Sequence, residues 1–191
     1  MVPSRAMVQE QDFALVRRAR SGDREAFTQL VRRHQDRVYT LVRGVVRHSE
    51  DAADITQETF IAVLRHLDTF SEGAQFSTWL HRIALRKAYD HLRKRVPEPL
   101  DPAGLTLASQ ADRADSFEAG LQRSALIDAI AGLEDGFREA VLLVDVLGCS
   151  VEETAGVLEV APGTVKSRVF RARATLAAEL GTHGYRGASK T

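Results

Sequence analysis

The chain has 191 residues, 44% of them apolar and 27% charged, and its 26 basic and 26 acidic side chains leave a formal net charge of zero. That is ordinary for a soluble globular protein of one or two domains. A lone cysteine, Cys149, excludes an internal disulfide and a multi-cysteine zinc site. No apolar run is long enough for a bilayer, and the opening MVPSRAMVQEQD lacks a signal-peptide core, so a cytoplasmic protein without membrane insertion is expected.

In chain order, amphipathic periodicity predicts helices over Gln11–Arg20, Arg24–Arg47, Asp51–Leu67 and Ser77–Arg95, with no competing strand pattern. They make a first domain of about residues 10–95. In the third helix Ala52, Ile55, Thr59, Phe60, Val63 and Leu67 spread over one side. Asp51, Asp54 and Glu58 recur at steps of three and four on the other, beside Gln57 and Ile61. An acidic ridge next to an exposed isoleucine suits docking on a cationic partner; a plain solvated face carries the same pattern.

The loop Phe70–Phe76 has an aromatic at each end and Gly73 in the middle. The helix after it sets Arg82, Arg86, Tyr89 and Arg93 on one stripe beside Trp79. Basic side chains interleaved with aromatics suit a single nucleic-acid strand, because phosphates need charge and unstacked bases need flat apolar surfaces. Phe70, Phe76 and Trp79 read equally well as core. Zero net charge conceals a segregation: residues 76–95 hold Arg82, Arg86, Lys87, Arg93, Lys94 and Arg95 against Asp90 alone, whereas residues 48–75 hold six acids against Arg65. Such a chain suits two unlike partners, one anionic and one cationic.

Residues 96–117, with Pro97, Pro99 and Pro102 and no periodicity, read as a flexible linker. A second domain, 118–180, is expected to hold helices near Phe117–Gly132 and Gly136–Leu147 and then a helical pair. Ser150 and Glu153 form a capping box at the start of that pair, small Ala155 and Gly156 permit close helix approach, and the first helix ends near Leu158–Glu159. Pro162 then sits at the favoured first position of the next helix. On that helix Val165, Val169, Ala172 and Leu176 fall in one core-facing stripe. Gly163, Ser167, Phe170, Arg171 and Ala174 lie opposite, flanked by Lys166 and Arg173 on one side and Arg168 on the other. This is the layout of a helix-turn-helix DNA reader. A merely solvated arginine-rich helix would gain nothing from a large apolar ring at Phe170 on its outer face, whereas a thymine methyl group gives that ring a contact. Residues 181–191 read as a polar tail, disordered from about Tyr185.

No catalytic constellation competes. The six histidines, His34, His48, His66, His81, His91 and His183, are scattered without metal-ligand spacing, no glycine-rich phosphate loop is present, and Ser167 has no base beside it. Neither enzymatic activity, a cofactor nor a metal is expected.

Three segments carry a family resemblance. DAADITQETFIAVLRHLDTF resembles the polymerase-docking segment of the extracytoplasmic-function (ECF) sigma factors, FSEGAQFSTWLHRIA their promoter-melting segment, and SVEETAGVLEVAPGTVKSRVFRARATL their upstream-promoter reader, in the family's order over roughly residues 11–180. The resemblance implies an all-α fold of two small helical domains joined by a flexible linker, the C-terminal one a helix-turn-helix. It implies that residues 10–95 bind core RNA polymerase and recognise and melt the minus-ten element, and that residues 118–180 read the minus-thirty-five element. Core binding, on the beta-prime coiled coil, would fall to Asp51, Asp54, Gln57, Glu58, Phe60 and Ile61. Minus-ten binding would fall to Phe70, Phe76, Trp79, Arg82, Arg86, Tyr89 and Arg93. Minus-thirty-five binding would fall to Thr164, Lys166, Ser167, Phe170 and Arg171, with Arg168 and Arg173 towards phosphates. The implied partners are core polymerase, including its beta flap, promoter DNA and an anti-sigma factor. The chain departs from the family at Arg86, where many members have asparagine, which changes what can be hydrogen-bonded at the minus-ten element. A stand-alone helix-turn-helix regulator is the alternative; it accounts for residues 150–176 and leaves the acidic helix and the loop-tryptophan-arginine segment without a role.

Overall fold

The computed structural model describes residues 5–95 and 126–182. The linker expected at 96–117, the tail from Tyr185 and most of the helix expected over Phe117–Gly132 lie outside the described residues. Within them the chain is helical and without strands: α1 (Arg5–Arg20), α2 (Arg24–Val46), α3 (Ser49–His66) running on into a 3-10 turn (Leu67–Thr69), and α4 (Phe76–Arg95). From residue 126 on come α5 (126–132), α6 (Asp135–Val141) running on into a π turn (Leu142–Val146), α7 (Val151–Leu158) and α8 (Pro162–Thr182).

α2 is the spine of the first four helices. Its buried residues Ala26, Leu30, His34, Val38, Leu41, Val42, Val45 and Val46 recur at helical spacing and meet α1, α3 and α4. Asp23 caps it, accepting from the Ala26 N–H at 3.1 Å and from Arg18 at 2.7 Å, and these bonds hold its carboxyl below the usual range. α2 ends on Arg47 in the left-handed region (φ 67°), a cap that the sequence does not announce with a glycine. α1 starts six residues before the expected Gln11, because Val8 and Asp12 already face α2 across a shared cavity. There Asp12, 3% exposed, accepts from Arg33 Nη1 at 2.8 Å and meets His34 Nε2 at 2.9 Å, so this buried carboxylate is paired rather than stranded.

In the second set the expected capping box is present, with Ser150 Oγ accepting from the Glu153 N–H and Glu153 accepting from the Ser150 N–H. Pro162 opens α8, and Val165, Val169, Ala172 and Leu176 are all buried. The two sets of helices pack against each other, sharing one apolar core that runs from Leu15 in α1 to Leu180 in α8. Leu142 of the π turn lies so close on Gly44 of α2 that a Cβ there would sit 2.7 Å from its methyl groups. Arg37 donates to the Leu147 carbonyl at 2.6 Å and Arg47 to that of Ala131. Each core alone is modest, and the shared contact enlarges both.

Candidate nucleic-acid interface

Three faces collect the residues singled out in the sequence. On α3, Asp54, Gln57 and Glu58 are exposed beside Ile61 and Leu64, which are 50% and 55% exposed. Isolated exposed apolar side chains are common, but two adjoining ones beside carboxylates form a surface with both an apolar and an anionic component. Glu58 lies 3.4 Å from Lys87 and Asp51 3.6 Å from His91, so two carboxylates of the ridge also tie α3 to α4. Phe60 is not on this face. It is 7% exposed and packs in the core, as its helical phase with Ala52 and Val63 dictates.

The second face is the loop and α4. Phe70 and Phe76 are 4% and 1% exposed, so neither presents a ring to a base; the core reading applies to both. Their rings meet edge-on at 5.6 Å, and Trp79 packs 5.4 Å from Phe70 and 6.0 Å from Phe76. This cluster sets the loop's geometry, while Ser71, Glu72, Gly73 and Ala74 are exposed above it. Trp79 is half-buried and also lines a groove of about 390 Å³ between α3 and α4, with His66, Thr69, Arg82, Arg86 and Lys87 along its walls. Cations around a flat aromatic edge can hold a phosphodiester strand and one or more unstacked bases.

Not every member of the α4 stripe serves that groove. Tyr89 turns to the other set of helices, its hydroxyl against Glu139 of α6, and burial followed by Glu139 pushes its pKa well up. Burial likewise raises the Glu139 carboxyl, against the opposing effect of the Tyr89 hydroxyl. Arg93 pairs with Asp90 on its own helix. Arg82 donates to the Gly156 carbonyl and lies 3.2 Å from Glu159, so in this arrangement α7 holds one of the groove's cations. His81 points the other way, into the core, where burial, with Arg37 and His34 nearby, pushes its pKa down to about 3.

The third face is the outer side of α8. Phe170 is 75% exposed, and Lys166, Ser167 and Arg171 are exposed beside it, with Ser167 Oγ donating to the Thr164 carbonyl at 2.9 Å. The flanking arginines expected on phosphates are engaged elsewhere. Arg173 forms a forked pair with Asp145 of the π turn, at 3.0 and 2.5 Å, which raises its pKa. Arg168 lays its guanidinium over Gly136 at the start of α6. The outward set is therefore Lys166, Ser167, Phe170 and Arg171, compact enough to enter a major groove as one patch.

The sequence reading missed Arg20, Arg37 and Arg47, whose partners lie 47 to 110 residues away. Periodicity places them on helix faces and says nothing of what they reach. No group of histidine, cysteine, aspartate and glutamate among the described residues could hold a metal ion, and no described helix is long and apolar enough to cross a membrane.

Residues 30–97 match the family Sigma-70 region 2, and residues 123–176 match the family Sigma-70, region 4. The ECF RNA polymerase sigma factor SigM of Mycobacterium tuberculosis is 41% identical over 161 residues, covering 84% of this chain and 80% of the relative. The ECF RNA polymerase sigma-E factor of Escherichia coli is 35% identical over 175 residues, covering 85% and 90%. The solved structure of CnrH in complex with the cytosolic domain of CnrY is similar at a TM-score of 0.72 and 32% identity, covering 90% of this chain and 98% of that one. That of the sigma factor RpoE with the anti-sigma factor NepR from Bartonella quintana is similar at a TM-score of 0.68 and 28% identity, covering 81% and 96%.

Proposed function

The chain belongs to the ECF sigma factors, alternative sigma subunits that bind core RNA polymerase and direct promoter-specific initiation, and from that premise we propose where on its surface each step is carried out. Residues 10–95, which take in most of α1 and all of α2–α4, bind core polymerase and capture the minus-ten strand. Residues 118–180, which take in α5–α7 and nearly all of α8, read the minus-thirty-five duplex. The observation that carries this assignment is the separation of the faces: an acidic, apolar ridge on α3, a basic groove with a tryptophan edge beside α4, and an outward Phe170-Arg171 patch on α8.

The acidic ridge suits a cationic helix, with Asp54, Gln57 and Glu58 supplying charge and hydrogen bonds and Ile61 the apolar contact. In the groove, Arg82, Arg86 and Lys87 meet phosphates and Trp79 the face of a base. Melting then proceeds by trapping: a base that leaves the stack spontaneously is held outside it, and the open state is populated by that difference in affinity. On α8, Arg171 is placed to fork onto a guanine edge and Phe170 to meet a thymine methyl group. Neither DNA contact suffices alone; polymerase converts the second into an intramolecular event by holding both modules at one separation. All of this is binding work without covalent chemistry, so we read the protein as non-enzymatic. The anti-sigma factor in one of the similar complexes supports a partner of that class here.

Paired substitutions separate the assignments. Asp54→Ala with Glu58→Ala should weaken association with core polymerase by about tenfold or more, on the scale of lost interfacial charge pairs. Arg171→Ala should leave that association intact and reduce transcription from cognate promoters by about tenfold, the discrimination of one bidentate base contact. Unchanged core association in the first variant removes the docking role from α3, and reduced core association in the second contradicts the division of labour.

A further inference from the structure

α1 carries none of the residues assigned above, yet its last turn reaches the loop that precedes α4. Arg20 donates through Nε and Nη2 to the Leu67 carbonyl at 3.1 and 2.9 Å, and through Nη2 to the carbonyls of Phe70 and, at 3.5 Å, Asp68. Its guanidinium also lies 6.0 Å from the centre of the Phe70 ring. Leu67 and Asp68 belong to α3's 3-10 extension and Phe70 follows it; the Leu67 carbonyl also accepts from the Phe70 N–H at 3.2 Å, and the negative end of the helix dipole is concentrated here. A single planar fork reinforces that turn and ties the Phe70 carbonyl to it, and so fixes the point at which the chain leaves the helix.

The consequence is mechanical. Phe70 and Phe76 are both buried, so residues 71–75 are strung between two pinned rings, and Arg20 is the polar pin on the Phe70 side. Arg17, one turn earlier, reaches Glu72 in the loop at 2.9 Å, with the two side chains 55% and 37% exposed; an ion pair so open to water is a weak tether.

We propose that Arg20 is a positioning residue for strand opening: it holds the Leu67–Phe70 turn, and through it the 71–75 loop and Trp79, in the geometry that receives unstacked bases. The proposal rests on the reading of the loop and α4 as the strand-capturing surface. A loop ordered in advance is not ordered at the expense of capture. Without Arg20 the DNA itself must order the turn, so affinity for the opened strand falls while the α3 ridge and the α8 patch stay as they are.

The test uses the full-length protein with purified core polymerase and a cognate promoter mapped by run-off transcription. Arg20→Ala and Arg20→Lys are compared with the unaltered protein for core affinity, for permanganate reactivity of the duplex promoter, and for transcription at saturating holoenzyme from the same promoter pre-melted by mismatches over the minus-ten segment. Arg20→Ala should keep core affinity within about twofold and lower duplex opening by about tenfold or more, the scale of losing several charge-assisted hydrogen bonds. The pre-melted template should be transcribed nearly normally, because its strands are already apart. Arg20→Lys should recover only part, since a lysine has one nitrogen, loses the second bond that Nε gives the Leu67 carbonyl, and has no planar guanidinium beside the Phe70 ring. Normal duplex opening by Arg20→Ala, an equal loss on duplex and pre-melted templates, or a parallel loss of core affinity would each overturn the proposal. Arg82→Ala with Arg86→Ala tests the underlying reading separately. If that pair opens the duplex normally, the strand surface itself is misplaced; if it fails to open while Arg20→Ala opens normally, only the positioning role is lost.

Discussion

His81 and His34 show how far a side chain's surroundings outrun its name. Both are buried on facing helices, but His34 has Asp12 at 2.9 Å, whereas His81 is held neutral by burial with Arg37 and His34 as neighbours. A histidine whose pKa falls from 6.5 to about 3 on folding binds fewer protons folded than unfolded between those limits. Stability from this group is therefore complete above pH 6.5 and drains away as pH falls towards 3. Between pH 7 and pH 5 the loss should be about 2 kcal/mol. Glu139, whose pKa is raised by burial, acts in the opposite sense on acidification, so the comparison that isolates His81 is with His81→Leu. Denaturant titrations at the two pH values should show a smaller acid loss in His81→Leu; an identical loss would mean that another group carries it. At this scale the outer residues of α8 were legible, because one stripe of valine, alanine and leucine fixes which side faces out. The contacts of Arg168 with Gly136 and of the still-exposed Arg173 with Asp145 were not, since a long side chain can fold back from a helical phase that also faces DNA.

Several helix ends were legible. Ser150 and Glu153 announce α7 and Pro162 announces α8, and periodicity placed the ends near Arg47 and Leu158–Glu159, although both caps are left-handed without the glycine that normally marks them. The π turn after α6 had no signature: it widens the helix so that Leu147 N–H bonds back to Leu142 O at 2.9 Å and Cys149 N–H to Leu143 O at 2.8 Å, with Leu142 packed closely on Gly44. Ser150→Ala removes one half of the capping box and should cost about 1 kcal/mol, read as a lower denaturant midpoint with an unchanged slope. A midpoint that does not move would show that α7 is held by tertiary packing alone.

At the scale of the whole molecule, the division of labour proposed above requires the arrangement described to open. Arg82, placed on the minus-ten strand in that proposal, is held here by the Gly156 carbonyl and by Glu159 at the end of α7. The contacts between the two sets of helices, including Arg82 on Gly156 and Leu142 on Gly44, therefore have to separate when both elements are engaged. Their shared core could not be foreseen from composition, which divides the chain into two parts and says nothing of what packs between them. Fluorophores placed on α2 and α8 in a Cys149→Ser background should show efficient energy transfer in the free protein and a marked fall on binding core polymerase. Transfer that persists in the holoenzyme would contradict this opening. The claim beneath all of these is that the chain confers promoter-specific initiation on polymerase, and the most direct measurement is run-off transcription on fragmented genomic DNA with purified core enzyme, with and without the protein. The account predicts new transcripts from a small set of start sites, each preceded by two shared sequence elements and each dependent on the protein. A shift of duplex DNA by the protein alone, with no new transcripts in the presence of core enzyme, would contradict it.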